Sequence, residues 1–224
     1  CDITPPVGID LGGRGCSDEA STEVLDPLQA QATVLRDRRG QALVIVSLDL
    51  IGLGQAFGAE LRERIASKLG VPPESVLLNC SHTHSGPMMY REAMAACGEP
   101  KETERAYLRA LSHSVVKMCA EAADDCKPVR VTAHEGTSDI GINRRGRTGG
   151  GKKTEEDSVG AGSGTMSMIP NPDSSYDSRV WVLRLDAPEG AARGVVFSYA
   201  CHPVMVYGFA RRAISGEYPS VARQ

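Results

Sequence analysis

Aromatic residues, histidines and long apolar runs are all scarce in this chain of 224 residues. Aromatic side chains make up 4% of the sequence, and five residues are histidines. No apolar run approaches the roughly 18 residues that a membrane-spanning helix needs. The first residues also lack the basic and then apolar pattern of a signal peptide. We therefore expect no transmembrane segment, and no signal peptide in the chain as given.

A strong charge of either sign is missing as well. The 25 lysines and arginines are scattered among 28 acidic residues, which leaves a formal net charge of −3. Without a block of basic residues, the chain lacks the electrostatic footprint of a nucleic-acid-binding protein. Its hydrophobic content of 41% is that of an ordinary globular protein. We expect a folded chain with no nucleic-acid partner.

The seven cysteines show no C-x-x-C spacing. That absence excludes the usual cysteine-built structural zinc site. The number is odd, and we expect mostly free thiols. Cys80 and Cys201 lie within apolar, strand-like runs, where cysteine usually behaves as a small buried hydrophobe.

The first half of the chain alternates between strand and helix patterns. Residues 29–36 and 41–50 predict a hairpin with a buried second strand. Residues 55–69 then place apolar side chains at intervals of four, which predicts a helix, and Gly70 predicts its end. Residues 76–81 predict the next strand. This part of the chain therefore runs strand, helix, strand.

The second half repeats the alternation. Residues 103–123 have helical spacing, and residues 129–134 predict a strand after them, giving a second β-α-β passage. Residues 179–186 and 194–201 predict two further strands, the second of them buried. Residues 145–178 are glycine-rich and of low complexity, and we predict a mobile loop there.

Three of the five histidines follow predicted strands. On a strand, side chains two residues apart project from the same face, so His82 and His84 can point into one cavity. His202 follows the other apolar strand and can supply a third imidazole. Neutral imidazole suits Zn²⁺, and an open site with three protein ligands and a water is typical of zinc hydrolases. The pattern predicts a zinc site, although a lone strand-end histidine is more often a hydrogen-bonded structural residue.

Other polar residues are candidates for supporting roles. Asp49 ends an apolar strand, where it can accept the distal N–H of a ligating histidine or cap a turn. Arg144 can stabilise an oxyanion or can be a solvated side chain. His113, within a helical run, and His134, on an exterior strand, are expected to be structural. The sequence SGP at 85–87 predicts a tight, exposed turn.

Five short motifs follow one another along the chain, and together they are specific. They are SHTHSGP at 81–87, INR at 142–144, VWVLRLD at 180–186, CHP at 201–203 and SGEYP at 215–219. In this order they resemble the neutral, non-lysosomal ceramidases, and the resemblance runs along nearly all of the chain. The HTHSGP element is its most specific part.

The resemblance implies both a fold and a site. Residues 1–224 would be the N-terminal portion of a ceramidase-like catalytic domain, an α/β fold with layered, mixed β-sheets in the middle flanked by α-helices. Zinc would be bound by His82 and His202, with His84 and Arg144 as catalytic groups. The family's remaining zinc ligands, a glutamate and a tyrosine, come from further along than residue 224. Glu217 is a departure, because the family often has aspartate there.

The implied activity is hydrolysis of an amide bond by metal-activated water. The implied substrate is an N-acyl sphingoid lipid, and a secreted or periplasmic location follows by analogy with the family. Two other hypotheses stay open at this point. One is a metal-dependent hydrolase of another amide or ester, and the other is a ceramidase-like domain that binds a lipid or partner without catalysis.

Overall fold

The computed structural model describes residues 1–16, 18–91, 97–148 and 165–224. These residues divide into two units, the first made of residues 1–126 and 203–224 and the second of residues 127–202. In chain order the elements are β1 (Glu23–Val24), β2 (Ala30–Arg36), β3 (Ala42–Leu48), α1 (Gln55–Leu69), β4 (Val76–Cys80), α2 (Glu102–Asp124), β5 (Arg130–Thr137), β6 (Gly146–Thr148), β7 (Thr165–Ser167), β8 (Arg179–Asp186), β9 (Ala192–Tyr199), α3 (Met205–Phe209), β10 (Ala213–Ile214) and α4 (Glu217–Ala222). The fold class is α/β, as predicted.

The first unit is built on a mixed sheet in which β3 is the central strand. β3 pairs antiparallel with β2 and parallel with β4, so the predicted hairpin is confirmed. Successive side chains on a strand point to opposite faces. Val44, Val46 and Leu48 are accordingly buried on one face of the sheet, whereas Leu43 points the other way and is exposed.

Helices α1 and α2 supply the other half of this core. Leu61 and Ile65 on α1 and Val115 on α2 are fully buried and belong to the same apolar cluster as the inward face of β3. α1 ends where the sequence predicts, because Gly70 adopts the left-handed conformation and its N–H bonds to the carbonyl of Ala66. The strand–helix–strand passage from β3 to β4 is therefore a parallel β-α-β unit.

A disulfide links an early loop of the first unit to a residue just before α2, and a buried ion-pair network reaches the first turn of α2. Cys16 and Cys97 are bonded, a pairing that the cysteine spacing did not reveal, while the other five cysteines are free thiols as expected. Arg91 bonds to Asp10 at 2.9 Å and, through Nε, to both oxygens of Glu104 at 3.1 Å. All three side chains are almost fully buried.

The second unit is a three-stranded antiparallel sheet in the order β5-β8-β9. The predicted second β-α-β passage is therefore wrong, because β5 pairs with β8 and not with the sheet that contains β4. The strand predicted over residues 194–201 exists as β9, but none of its residues is fully buried. β6 and β7 form a short antiparallel pair. Residues 149–164 of the predicted mobile loop lie outside the described residues.

Within the described ranges, no helix combines the length and the apolar character that crossing a bilayer would require.

Candidate metal centre

The loop that follows β4 carries the first two histidines. β4 ends at Cys80, before the histidines begin, and His82 adopts a left-handed backbone with φ of 68°. His82 and His84 therefore do not share a strand face, and the prediction that strand geometry brings them together is wrong. Their rings nevertheless lie close together, with centroids 5.1 Å apart in an edge-to-face arrangement.

The third predicted histidine joins this pair. His202 is the residue at which the chain passes from the second unit back into the first, through its peptide bond to Pro203. Each of the three rings offers a nitrogen, and these atoms all lie within 4.8 Å of one another. In a tetrahedral zinc shell the donor atoms are about 3.4 Å apart, given bonds of about 2.05 Å. Small side-chain rotations would therefore suit this donor set to zinc.

A backbone carbonyl fixes the tautomer of His82. Its Nδ1 lies 2.6 Å from the carbonyl oxygen of Ile51. Because a carbonyl only accepts, the neutral ring carries its proton on Nδ1 and has its lone pair on Nε2, where a metal can bind. Nε2 is thus the nitrogen of His82 that is available to a metal.

Asp49, the residue suggested for that orienting task, has other partners. Its buried carboxylate accepts the N–H of Gln29 at 2.9 Å and forms a two-pronged ion pair with Arg223. Gly216 packs so closely against it that an added Cβ would lie 3.0 Å from a carboxylate oxygen. Asp49 thus anchors the C-terminal segment to the end of β3, two residues before the carbonyl that holds His82.

The ring of His84 is held between a glycine and an aromatic ring. A Cβ on Gly13 would lie 2.4 Å from Nδ1 of His84, and Gly13 has a φ of +79° that favours glycine. On another side, the ring of Tyr207 meets that of His84 edge-on, with centroids 5.9 Å apart. Neither contact was predicted from the sequence, although the Gly12-Gly13 pair was a signal of close backbone approach.

Two arginines lie against the ring of Tyr207, and both bind the same glutamate. The guanidinium groups of Arg14 and Arg211 lie 5.0 and 5.5 Å from its ring centroid. Both arginines bond to Glu19, and these contacts lower the pKa of that carboxyl to about 2. The carboxylate stays ionised at neutral pH and balances part of the positive charge beside the histidines.

A buried polar network connects residues 82–85, the loop that carries His82 and His84, to residues 215–217. Thr83 donates its hydroxyl to the carbonyl of Ser215 at 2.8 Å, and Ser85 donates its hydroxyl to Glu217 at 3.0 Å. The backbone N–H of Ser215 in turn donates to the carbonyl of Ser85. The turn at residues 85–87 is therefore buried, and the prediction of an exposed turn is wrong. The SGEYP motif acts here as structural support for the histidines.

Backbone strain is concentrated at the same place. Among the described residues, the non-glycine residues with positive φ are His82 and Glu217, at 68° and 60°. Such a conformation costs about 1–2 kcal/mol per residue and persists where surrounding contacts impose it. Strained residues cluster at functional sites, so their position supports the assignment of this loop as the site.

Among the nearby thiols, burial raises the pKa of Cys80 to about 12 and also raises that of Cys201. Both thiols therefore stay protonated at neutral pH in the metal-free protein. Arg144 lies in the second unit, half-buried in the segment before β6. Its catalytic role stays a prediction.

Comparison with known proteins points to one group. The chain is 24% identical over 151 residues to neutral ceramidase 2 of Arabidopsis thaliana, a match that covers 64% of this chain. Two solved structures cover 96% of the chain at 22% identity: a ceramidase complexed with C2, with a TM-score of 0.68, and the neutral ceramidase from Pseudomonas aeruginosa, with a TM-score of 0.64. No family model matches.

These matches confirm the predicted resemblance to the neutral ceramidases. At such identities, the structural likeness shows that the fold is shared. The match covers 32% of each solved chain, so this chain spans about a third of their length. It covers 19% of the Arabidopsis relative, which is about a fifth of that protein.

Proposed function

We propose that this chain is part of a zinc-dependent hydrolase that cleaves amide bonds. The observation that carries the proposal is the convergence of His82, His84 and His202, whose ring nitrogens lie within 4.8 Å of one another. The likeness to ceramidases supports the choice of amide hydrolysis, because those relatives are named for an amide-cleaving activity. The histidine cluster and the likeness to ceramidases are separate observations.

In this proposal, two residues bind the metal and two others take part in catalysis. His82 and His202 would hold the metal, and the carbonyl of Ile51 keeps the lone pair of His82 on Nε2 for that purpose. A bound zinc ion supplies Lewis acidity, which lowers the pKa of water and polarises a carbonyl group. His84, held beside the ligands, can accept or donate a proton during the reaction, and Arg144 can stabilise negative charge on the substrate oxygen.

The substrate that we propose is an N-acyl sphingoid lipid. This choice rests on the names of the relatives and on the motifs shared with their family. A metal-dependent hydrolase of another amide or ester would use the same histidines. A ceramidase-like domain that binds lipid without catalysis would keep the fold but would not need the metal.

The test is a metal and activity assay on the full polypeptide. We expect about one zinc ion per site, release of fatty acid from an N-acyl sphingosine, and loss of both in His82→Ala. His113→Ala is the matched control, because His113 is an exposed histidine on α2 and should leave zinc content and rate unchanged. Hydrolysis of simple amides or esters without hydrolysis of the lipid would remove the lipid substrate and keep the hydrolase. A protein that contains no zinc, and that stays inactive when zinc is added, would contradict the proposal.

A further inference from the structure

Glu217 is a buried carboxylate whose hydrogen bonds converge on the surroundings of one histidine. Its side chain is 3% exposed. One oxygen accepts the hydroxyl of Ser85 at 3.0 Å and the backbone N–H of Tyr207 at 3.2 Å, and the other accepts the N–H of Val206 at 2.8 Å. The three donors together satisfy both oxygens, as a buried polar group requires.

Two of these three donors belong to residues that hold His84. Ser85 follows His84 directly in the chain, so fixing its side chain fixes the backbone from which the imidazole extends. Tyr207 places its ring edge-on against the imidazole, with centroids 5.9 Å apart. One carboxylate thus restrains the backbone of His84 on one side and the aromatic neighbour of its ring on another.

The backbone of Glu217 shows that this arrangement is imposed by its surroundings. A φ of 60° suits glycine far better than glutamate, yet this position carries a side chain. The conformation is maintained by the N–H of Glu217, which donates to the hydroxyl of Ser215 at 2.9 Å, and by the carbonyl of Ser215, which accepts from Thr83 at 2.8 Å. The strained backbone directs the carboxylate toward its three donors, the hydroxyl of Ser85 and the N–H groups of Val206 and Tyr207. A glycine at position 217 would leave these donors without that acceptor.

We propose that Glu217 is the positioning residue of His84, holding the imidazole in its orientation through Ser85 and Tyr207. The structural part of this proposal does not require that the protein be a hydrolase. Its kinetic consequence rests on the proposed function.

The decisive variant is Glu217→Gln, which keeps size and shape. An amide must turn an N–H toward one of the three donors, so at least one hydrogen bond is replaced by a repulsive contact. Glu104→Gln is the control, because Glu104 is equally buried but binds Arg91 and the backbone of Lys101. Ser85→Ala removes one contact of the same carboxylate and should give a smaller effect of the same kind.

The first readout is the rate at which diethylpyrocarbonate modifies each histidine of the metal-free protein, followed by mass spectrometry. We expect the rate at His84 to rise severalfold in Glu217→Gln and to stay unchanged in Glu104→Gln. The exposed His113 and His134 are internal references and should keep their rates. An unchanged rate at His84 in both Glu217→Gln and Ser85→Ala would overturn the proposal. So would an equal rise in the control or at the reference histidines, because that would indicate general loosening.

The second readout is steady-state hydrolysis by the zinc-loaded full polypeptide. Loss of a residue that orients an active-site group typically costs about 10- to 100-fold in activity. We expect kcat of Glu217→Gln to fall by about that factor, with KM and zinc content near those of the wild type. A fall in zinc content parallel to the fall in kcat would contradict a specific effect on His84. If the wild type proves inactive, the proposed function fails, and the modification rates still decide the role of Glu217.

Discussion

The two units of this chain use similar strand sequences but bury them to different extents. In the first unit, β3 lies against α1 and α2, and its inward side chains are excluded from water. In the second unit, β8 is equally rich in β-branched and aromatic residues, yet Trp181 is 49% exposed. Leu185, which is 9% exposed, is the one apolar side chain that is buried in the described strands of this unit. The described residues of the second unit include no helix. An apolar strand pattern therefore predicts extended backbone, while burial depends on an element that covers the strand.

The largest expected difference between the units is the effect of deleting a leucine side chain. Leu61→Ala removes a fully buried side chain from the first unit, and we expect a loss of about 2–5 kcal/mol in the free energy of unfolding. Leu183→Ala removes a half-buried side chain from β8, and we expect about 1 kcal/mol because part of the side chain is already hydrated. Urea unfolding followed by circular dichroism measures both. Equal losses would show that the second unit is packed as tightly as the first.

The comparison also shows why the fold was only partly predictable. Local signals were sufficient for α1, whose end at Gly70 requires only a left-handed residue, and for β8, whose range matches the prediction. Strand partners were not predictable in the same way. β5 follows α2 as β4 follows α1, but β5 pairs with β8, about 50 residues later, and nothing within residues 129–134 specifies that choice. Pairing depends on tertiary contacts that a single strand sequence does not contain.

A second prediction concerns the disulfide of the first unit. Cys16 and Cys97 are separated by 81 residues, so their bond closes a long loop and restricts the unfolded chain. We expect the double variant Cys16→Ala, Cys97→Ala to lose about 2–4 kcal/mol in the free energy of unfolding. Amide hydrogen exchange should show the loss in the first unit, with the protection of β8 and β9 unchanged. Cys126→Ala, which removes an exposed free thiol, is the control. An unchanged urea midpoint in the double variant would contradict the expected stabilisation.

The histidine cluster was predictable in its members but not in the contacts that build it. Three histidines after strands were sufficient to predict a cluster, and the structure brings those three together. The strand geometry invoked for His82 and His84 was wrong, since a left-handed residue, and not strand alternation, sets their relative position. The supports are contacts between residues far apart in sequence, such as Glu217 with Ser85, 132 residues away. No spacing rule reveals such a contact before the fold is known.

The smallest predicted effect compares two carboxylates, one in each unit, whose pKa values are both lowered to about 2. Glu19 is held by Arg211 and Arg14, and Arg211 is 192 residues away, so unfolding separates the partners. Asp177 is held by Arg179, two residues along the chain, and the unfolded chain keeps these groups close. A carboxyl whose pKa is lower in the folded than in the unfolded state stabilises the protein above its unfolded value, and this contribution disappears as the pH falls toward the folded value.

For Glu19, the contribution should therefore be complete above about pH 4.5 and should be lost between pH 4.5 and about 2. In Glu19→Gln, the urea midpoint should fall less steeply over that pH range than in the wild type, whereas Asp177→Asn should follow the wild type closely. The difference should be modest, because Glu19 is 28% exposed and solvent screens its ion pairs. Parallel curves for Glu19→Gln and the wild type would show that Arg14 and Arg211 also stay near Glu19 in the unfolded chain. A flattened curve for Asp177→Asn would show instead that its pairing with Arg179 depends on the folded sheet of the second unit.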